Sequence, residues 1–112
     1  MNEMDFFKQV VELSDKEEKA AVATIIRTKG STPRETGAKM IVLSDGKVIG
    51  TIGGGCGEGE VIERSFSVIQ TGIPAQHQVD LTDGLMYEDG GICGGIMDVF
   101  IEPIDSSVEL FS

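Results

Sequence analysis

The chain has 112 residues, is 40% hydrophobic and 25% charged, and carries a formal net charge of −10. That is one domain with enough apolar side chains for a single core, which excludes a disordered chain. The acidic balance excludes nucleic acid as a general partner, because phosphate backbones demand a basic face.

The apolar runs are strand-sized, far short of the ~20 residues of a membrane span. The acidic start "MNEMDFFKQVVELSD" lacks the positive charge of a signal peptide, and two cysteines make no disulfide framework. The expected setting is a reducing cytoplasm, away from any membrane.

In chain order, residues 2–14 read as an amphipathic helix: Asn2 is a good N-cap, Asp5 follows three residues on, and Phe6, Val10 and Leu13 share a face. A charged connector, 14–19, leads into "AAVATIIRT" (20–28), a nearly continuous apolar run with β-branched residues, as in a buried central strand. "KGSTPRETGAK" (29–39) is a loop in which Pro33 fixes φ and holds Thr32 extended. Two β-branched runs then flank Asp45-Gly46, which predicts an antiparallel hairpin over residues 39–52.

"GTIGGGCGEGE" (50–60) follows, with five glycines between Gly53 and Gly59. Residues 58–71 form a helical pattern with Val61, Ile62, Phe66, Val68 and Ile69 on one broad face, stopped by Gly72 and Pro74. A partly exposed strand is expected over 75–81 and a last strand over 96–103, with Met97, Val99 and Ile101 on one side. Between them, residues 82–95 form a long loop with five more glycines, longer than compact domains usually carry without a use for it. The fold class that results is α+β, a mixed, largely antiparallel sheet with two helices in a single domain.

Chemistry concentrates in the glycine segments. Successive N–H groups at a strand-to-helix loop make an anion-binding nest, although Glu58 and Glu60 already complement the helix start. No dinucleotide-binding glycine pattern and no phosphate-loop lysine is present. Arg27, Lys29, Arg34 and Lys39 gather four of the nine basic residues into thirteen positions. Cys56 and Cys93 each lie in a glycine-rich loop, where a thiolate near cations acts as a nucleophile or soft metal ligand. A free cysteine is equally at home as a small buried apolar residue. These two with His77, the sole histidine, lack the ligand pairing of a zinc site, and His77 reads as a surface imidazole. Asp80, Asp83, Glu88, Asp89 and Asp98 are the scatter of an acidic chain, and Ser31 and Thr32 have no base beside them for hydrolase chemistry.

Three segments in this order, "RTKGSTPRETGAKM" (27–40), "GTIGGGCGEGEV" (50–61) and "GGICGGIMDVFIEP" (90–103), resemble the N-terminal domain of the XdhC/CoxI family. The likeness spans residues 20–103 and rests on Gly30, Ser31, Thr32, Pro33, Arg34, Gly37 and Lys39; on Gly53, Gly54, Gly55, Cys56 and Glu60; and on Cys93, Gly94, Gly95 and Glu102. Members are accessory factors for molybdenum hydroxylases such as xanthine dehydrogenase and aerobic CO dehydrogenase. The resemblance implies transient binding of molybdopterin-type molybdenum cofactor, its protection during terminal sulfuration and its delivery to the apo-hydroxylase. A cysteine desulfurase is a further implied partner, and a homodimer is left open. Family members usually continue into a Rossmann-like domain, so residues 1–112 are expected to be the N-terminal domain alone.

On this reading Arg34 and Lys39, more than Arg27 or Lys29, hold an anionic ligand or the acidic rim of a partner, beside Gly53, Gly54, Gly55, Gly94 and Gly95. Cys56 and Cys93 face one shared cleft, reduced and unpaired, as molybdenum contacts or sulfur relays. The leading role is a non-enzymatic, cofactor-binding chaperone. Two alternatives stand beside it: a thiol-dependent sulfur or selenium transferase acting through Cys56 or Cys93, and a docking or dimerisation module.

Overall fold

A run of alanines and β-branched residues with one bulge builds the spine of the sheet, β1 (Ala20–Lys29). The computed structural model describes Lys8, residues 19–30, Thr32, and residues 34–52, 57–81 and 94–104. The remaining elements are β2 (Lys39–Leu43), β3 (Val48–Gly50), α1 (Glu58–Thr71), β4 (Ala75–Asp80) and β5 (Ile96–Ile104). They form a five-stranded sheet of order β3-β2-β1-β5-β4, with β1 central as its two-sided burial requires.

The hairpin forms as expected, Met40 opposite Gly50 and Val42 opposite Val48. Its loop is Ser44, Asp45 and Gly46, closed by Leu43 N–H donating to the Lys47 carbonyl at 2.8 Å. Gly46 takes φ 95°, and Asp45 Oδ1 accepts from Lys47 N–H at 2.9 Å. A three-residue loop with glycine at its last position matches the strand twist.

The mixed sheet with two helices is corrected. All four pairings are antiparallel, and among the described residues the sheet is joined by one helix, α1. β3 and β4 do run the same way, but α1 carries the chain across the sheet to the opposite edge, so they never become neighbours. The helix expected over 2–14 lies outside the described residues, apart from Lys8.

One face of the sheet receives α1. Ala21, Ala23 and Ile25 of β1, Met40 and Val42 of β2, and Met97, Val99 and Ile101 of β5 are buried against Val61 and Val68. The alanines leave room for the helix, and each buried valine contributes about 1.5–3 kcal/mol. The helix is turned differently from the expected stripe: Ser65 is buried, with its hydroxyl donating to the Val61 carbonyl at 2.7 Å, while Phe66 is exposed. Position 66 stands ~140° around the axis from Val61, beyond the flank of the contact. Gly72 caps the C-terminus at φ 72°. On the other face, Ala20, Val22, Ile41 and Ile104 make a smaller buried cluster.

Candidate functional site

Strand directions bring the ends of all three glycine-bearing segments to one end of the sheet. Lys29, at the end of β1, pairs with Ile96, at the start of β5, and Asp80, at the end of β4, pairs with the same Ile96. Leu81 N–H donates to the Gly95 carbonyl at 2.8 Å, extending that ladder by one bond. α1 begins at this end too, because Gly57 lies against Val79 of β4.

Two glycines act as seams there. Gly30 has φ 77°, and a Cβ on it would stand 3.1 Å from the Gly94 carbonyl oxygen and 3.2 Å from Gly95 Cα. The first motif therefore touches the third, backbone to backbone, in a space tight for any side chain and at a φ that favours glycine. Gly57 has φ 76°, and its Cβ would overlap Val79 Cγ1 and approach Val79 Cβ to 3.3 Å. This glycine is required by packing. Gly59, inside the helix with open space around it, is not.

The basic candidates separate. Arg34 is exposed in the loop after β1, where the Thr32 hydroxyl donates to the Arg34 carbonyl at 2.9 Å. Gly37 N–H donates to the Ile25 carbonyl and Ile25 N–H to the Ala38 carbonyl, which ties the loop back to the strand. Lys39 is half-buried, its Nζ donating to Thr24 Oγ1 at 3.3 Å across β1 and β2. Because Met40 and Val42 face α1, Lys39 projects from the opposite face. Thr24 pairs with Phe100, five residues from Gly95; at ~3.3 Å per residue, Lys39 lies roughly 17 Å down the sheet from Gly95 and two strands across.

Two further polar arrangements escape the sequence reading. Asp98, read as scatter, is buried on the face opposite α1: Gln78 Nε2 donates to its Oδ1 at 3.1 Å, and the exposed Arg27 guanidinium is 3.7 Å from its Oδ2. Alternation around Met97 and Val99 gave Asp98 its face, but burial depends on the neighbouring strands. His77 is half-buried, not a surface imidazole; its Nε2 is shut off from solvent without a hydrogen-bond partner, 3.6 Å from Glu60 Oε1. Alternation with Val79 turns it towards α1.

Gly53, Gly54, Gly55, Cys56 and Cys93 lie outside the described residues, and with them the shared thiol cleft. Among the described residues no cluster of three or more His, Cys, Asp or Glu could hold a metal, and no helix is long and apolar enough to cross a membrane.

The chain is 38% identical over 98 residues to the uncharacterized protein YqeB of Escherichia coli, covering 88% of this chain and 18% of that protein. It is 33% identical over 104 residues to a probable xanthine dehydrogenase subunit of Bacillus subtilis, covering 89% of this chain and 31% of the relative. Among solved structures it is similar to the crystal structure of a xanthine dehydrogenase from Bacillus halodurans, with a TM-score of 0.73 and 31% identity over 88% of this chain and 30% of that one. It thus spans a third or less of the length of these relatives. The family model of XdhC and CoxI matches residues 13–80, more than half of the chain and both segments that flank the hairpin. The chain belongs to the XdhC and CoxI family.

Proposed function

We propose that this chain is the cofactor-binding part of an accessory factor for a xanthine dehydrogenase-type molybdenum hydroxylase, holding molybdopterin-type cofactor transiently and passing it to the apo-enzyme. The observation that carries the reading is the seam of Gly30 on Gly94 and Gly95, which joins two of the three motif segments at one end of the sheet. Family membership and relatives bearing the xanthine dehydrogenase name support the client class.

The described residues fit the anionic end of such a cofactor. Arg34 offers an exposed guanidinium from a loop tied to β1, suited to bidentate phosphate contacts. Lys39, on the far face and already bonded to Thr24, takes a lesser part. Gly94 and Gly95 lend backbone to a close approach, with Gly53, Gly54 and Gly55 proposed beside them. When bound, the cofactor supplies a dithiolene-held metal, for which Cys56 and Cys93 are the proposed soft contacts.

The test is to express the chain in cells that make molybdenum cofactor, purify it, and assay released pterin by fluorescence after oxidation. Wild type should carry pterin and restore activity to an apo-hydroxylase; Arg34→Glu should carry at least tenfold less. Pterin-free protein from cells with active hydroxylase would reject the reading.

A further inference from the structure

The bulge in β1 falls close to the glycine-bearing end. Ile25 pairs with Val99 and Arg27 with Asp98, so Ile26 is an extra residue that β5 does not match. Ile25 and Val99 are buried on the side of α1. Plain alternation from Ile25 would turn Arg27 to that same side. The bulge cancels one step of the alternation and delivers Arg27 to the face of Asp98, opposite α1, where its guanidinium stands 3.7 Å from Asp98 Oδ2. Re-aiming a side chain is a recurrent use of a bulge. Lys29, two residues on and paired with Ile96, shares that face.

The re-aimed guanidinium meets a fixed seat. The Asp98 side chain is only 9% exposed, and its Oδ1 accepts from Gln78 Nε2 at 3.1 Å, so the strands on both sides of β5 hold this carboxylate. Arg27 itself reaches solvent, and its planar fork has five N–H donors, which a single carboxylate oxygen does not exhaust. Arg27 lies three residues before Gly30 and Asp98 three after Gly95, each about 10 Å along the sheet. The loop that carries Arg34 leaves β1 just beyond and returns to it where Gly37 N–H donates to the Ile25 carbonyl at 2.8 Å.

We infer that Arg27 is a phosphate-binding residue acting with Arg34, and that Asp98 and the bulge at Ile26 position it. The inference rests on the reading of this end as the seat of a phosphate-bearing cofactor, and it adds the side on which the phosphate lies. That side is the face opposite α1, away from the carboxylates of Glu58 and Glu60 at the helix start. Asp98 does not cancel the attraction. An anion on the outer side of the guanidinium sits about 4 Å from it and roughly 8 Å from the carboxylate behind, so attraction is about twice the repulsion. Lys39 shares the face but is bonded to Thr24, farther down the sheet.

The probe is inorganic pyrophosphate, titrated into the ¹⁵N-labelled full chain. The expected result is shifted resonances at residues 26–30, at Arg34 and at the Arg27 Nε–H, with none at the hairpin turn. Arg27→Gln should weaken binding at least fivefold, and Arg27→Lys at least threefold, because lysine keeps the charge but not the planar fork. Lys47→Gln removes the same charge at the opposite end of the sheet and should change affinity less than twofold. Asp98→Asn keeps an acceptor for Gln78 and removes a negative charge. Through the field alone it would tighten the anion; loss of positioning weakens it, by at least threefold. Arg27→Lys decides if Asp98→Asn melts early. Pterin carried equally by wild type and Arg27→Gln overturns the inference and leaves the broader reading standing. Pterin-free wild type rejects the broader reading, and the pyrophosphate titration then decides for Arg27 by itself. No shift at Arg27, equal binding by Arg27→Gln, or tighter binding by a folded Asp98→Asn would each overturn the inference.

Discussion

Gly57 and Gly72 bracket α1 with nearly the same backbone, φ 76° and φ 72°, but different surroundings. A Cβ at Gly72 meets nothing within 4 Å, whereas one at Gly57 overlaps Val79, which is fully buried. Gly72→Ala should therefore cost only the left-handed conformation, about 1–2 kcal/mol. Gly57→Ala adds the displacement of a stiff, β-branched neighbour, about 1–3 kcal/mol of overpacking, for roughly 2–5 kcal/mol in all. At ~4–6 °C per kcal/mol for a domain of this size, the melting temperature should fall by roughly 10–25 °C. Urea unfolding followed by circular dichroism gives both values, and Val79→Ala completes a double-mutant cycle. In that background Gly57→Ala should cost no more than Gly72→Ala. The same cost for Gly57→Ala with Val79 present or absent would refute the packing argument.

Asp45→Ala removes the acceptor for Lys47 N–H and should lower stability by about 0.5–1 kcal/mol in the same assay. Arg27→Ala should cost under about 1 kcal/mol and less in high salt, since the Arg27 side chain is 76% exposed. Gln78→Ala should cost more, about 1–2 kcal/mol, because it removes a hydrogen bond to the buried carboxylate of Asp98; the reverse ranking would refute the assignment of Gln78 as its main partner. For cofactor binding, Glu58→Gln should change affinity by less than twofold while Arg34→Glu lowers it at least tenfold, measured by pterin fluorescence.

Local chemistry made the hairpin and both main strands legible. Asp45-Gly46 between β-branched runs names its own turn, and the two-sided apolar run of β1 could be placed only at the centre of a sheet. Helix α1 was legible in its bounds, Gly57 and Gly72, but not in its rotation. A 3.6-residue period supports a broad stripe, and choosing Ser65 over Phe66 depends on how closely Ala21 and Ala23 let the helix approach. Nor does any local signal say that α1 crosses the whole sheet, which is what makes every pairing antiparallel. For the site, the glycine motifs stand out in the chain, but the contact of Gly30 with Gly94 and Gly95 is set by the register of β1 on β5. Lys39 lies against Gly50 at the start of the second glycine segment, but strand parity sets its side chain on the face opposite α1, and Gly53, Gly54 and Gly55 lie outside the described residues. Met40 faces the helix, so Lys39 cannot. The partners of Asp98 and His77 come from strands and a helix distant in sequence, beyond the reach of any local pattern.

For the anion proposed at the glycine-bearing end, the described residues offer two places, and magnitudes choose between them. The start of α1 offers a helix end worth about 0.3–1 kcal/mol, up to about 2 when partly buried. That end already holds Glu58, whose Oε2 accepts from the Thr51 hydroxyl at 2.7 Å, and Glu60 one residue beyond Gly59. A second negative charge within about 4 Å of a carboxylate in such partly solvated surroundings is repelled by roughly 4 kcal/mol. Repulsion outweighs the dipole. In the loop after β1, Arg34 and the neighbouring Glu35 are both exposed, so solvent screens the carboxylate, and the Glu35 carbonyl accepts from Ala38 N–H at 3.1 Å, which tightens the turn. The glycine at the head of the helix thus serves the fit of α1 on β4, and the proposed anion contact falls to Arg34, in the loop on the other side of the Gly30 seam.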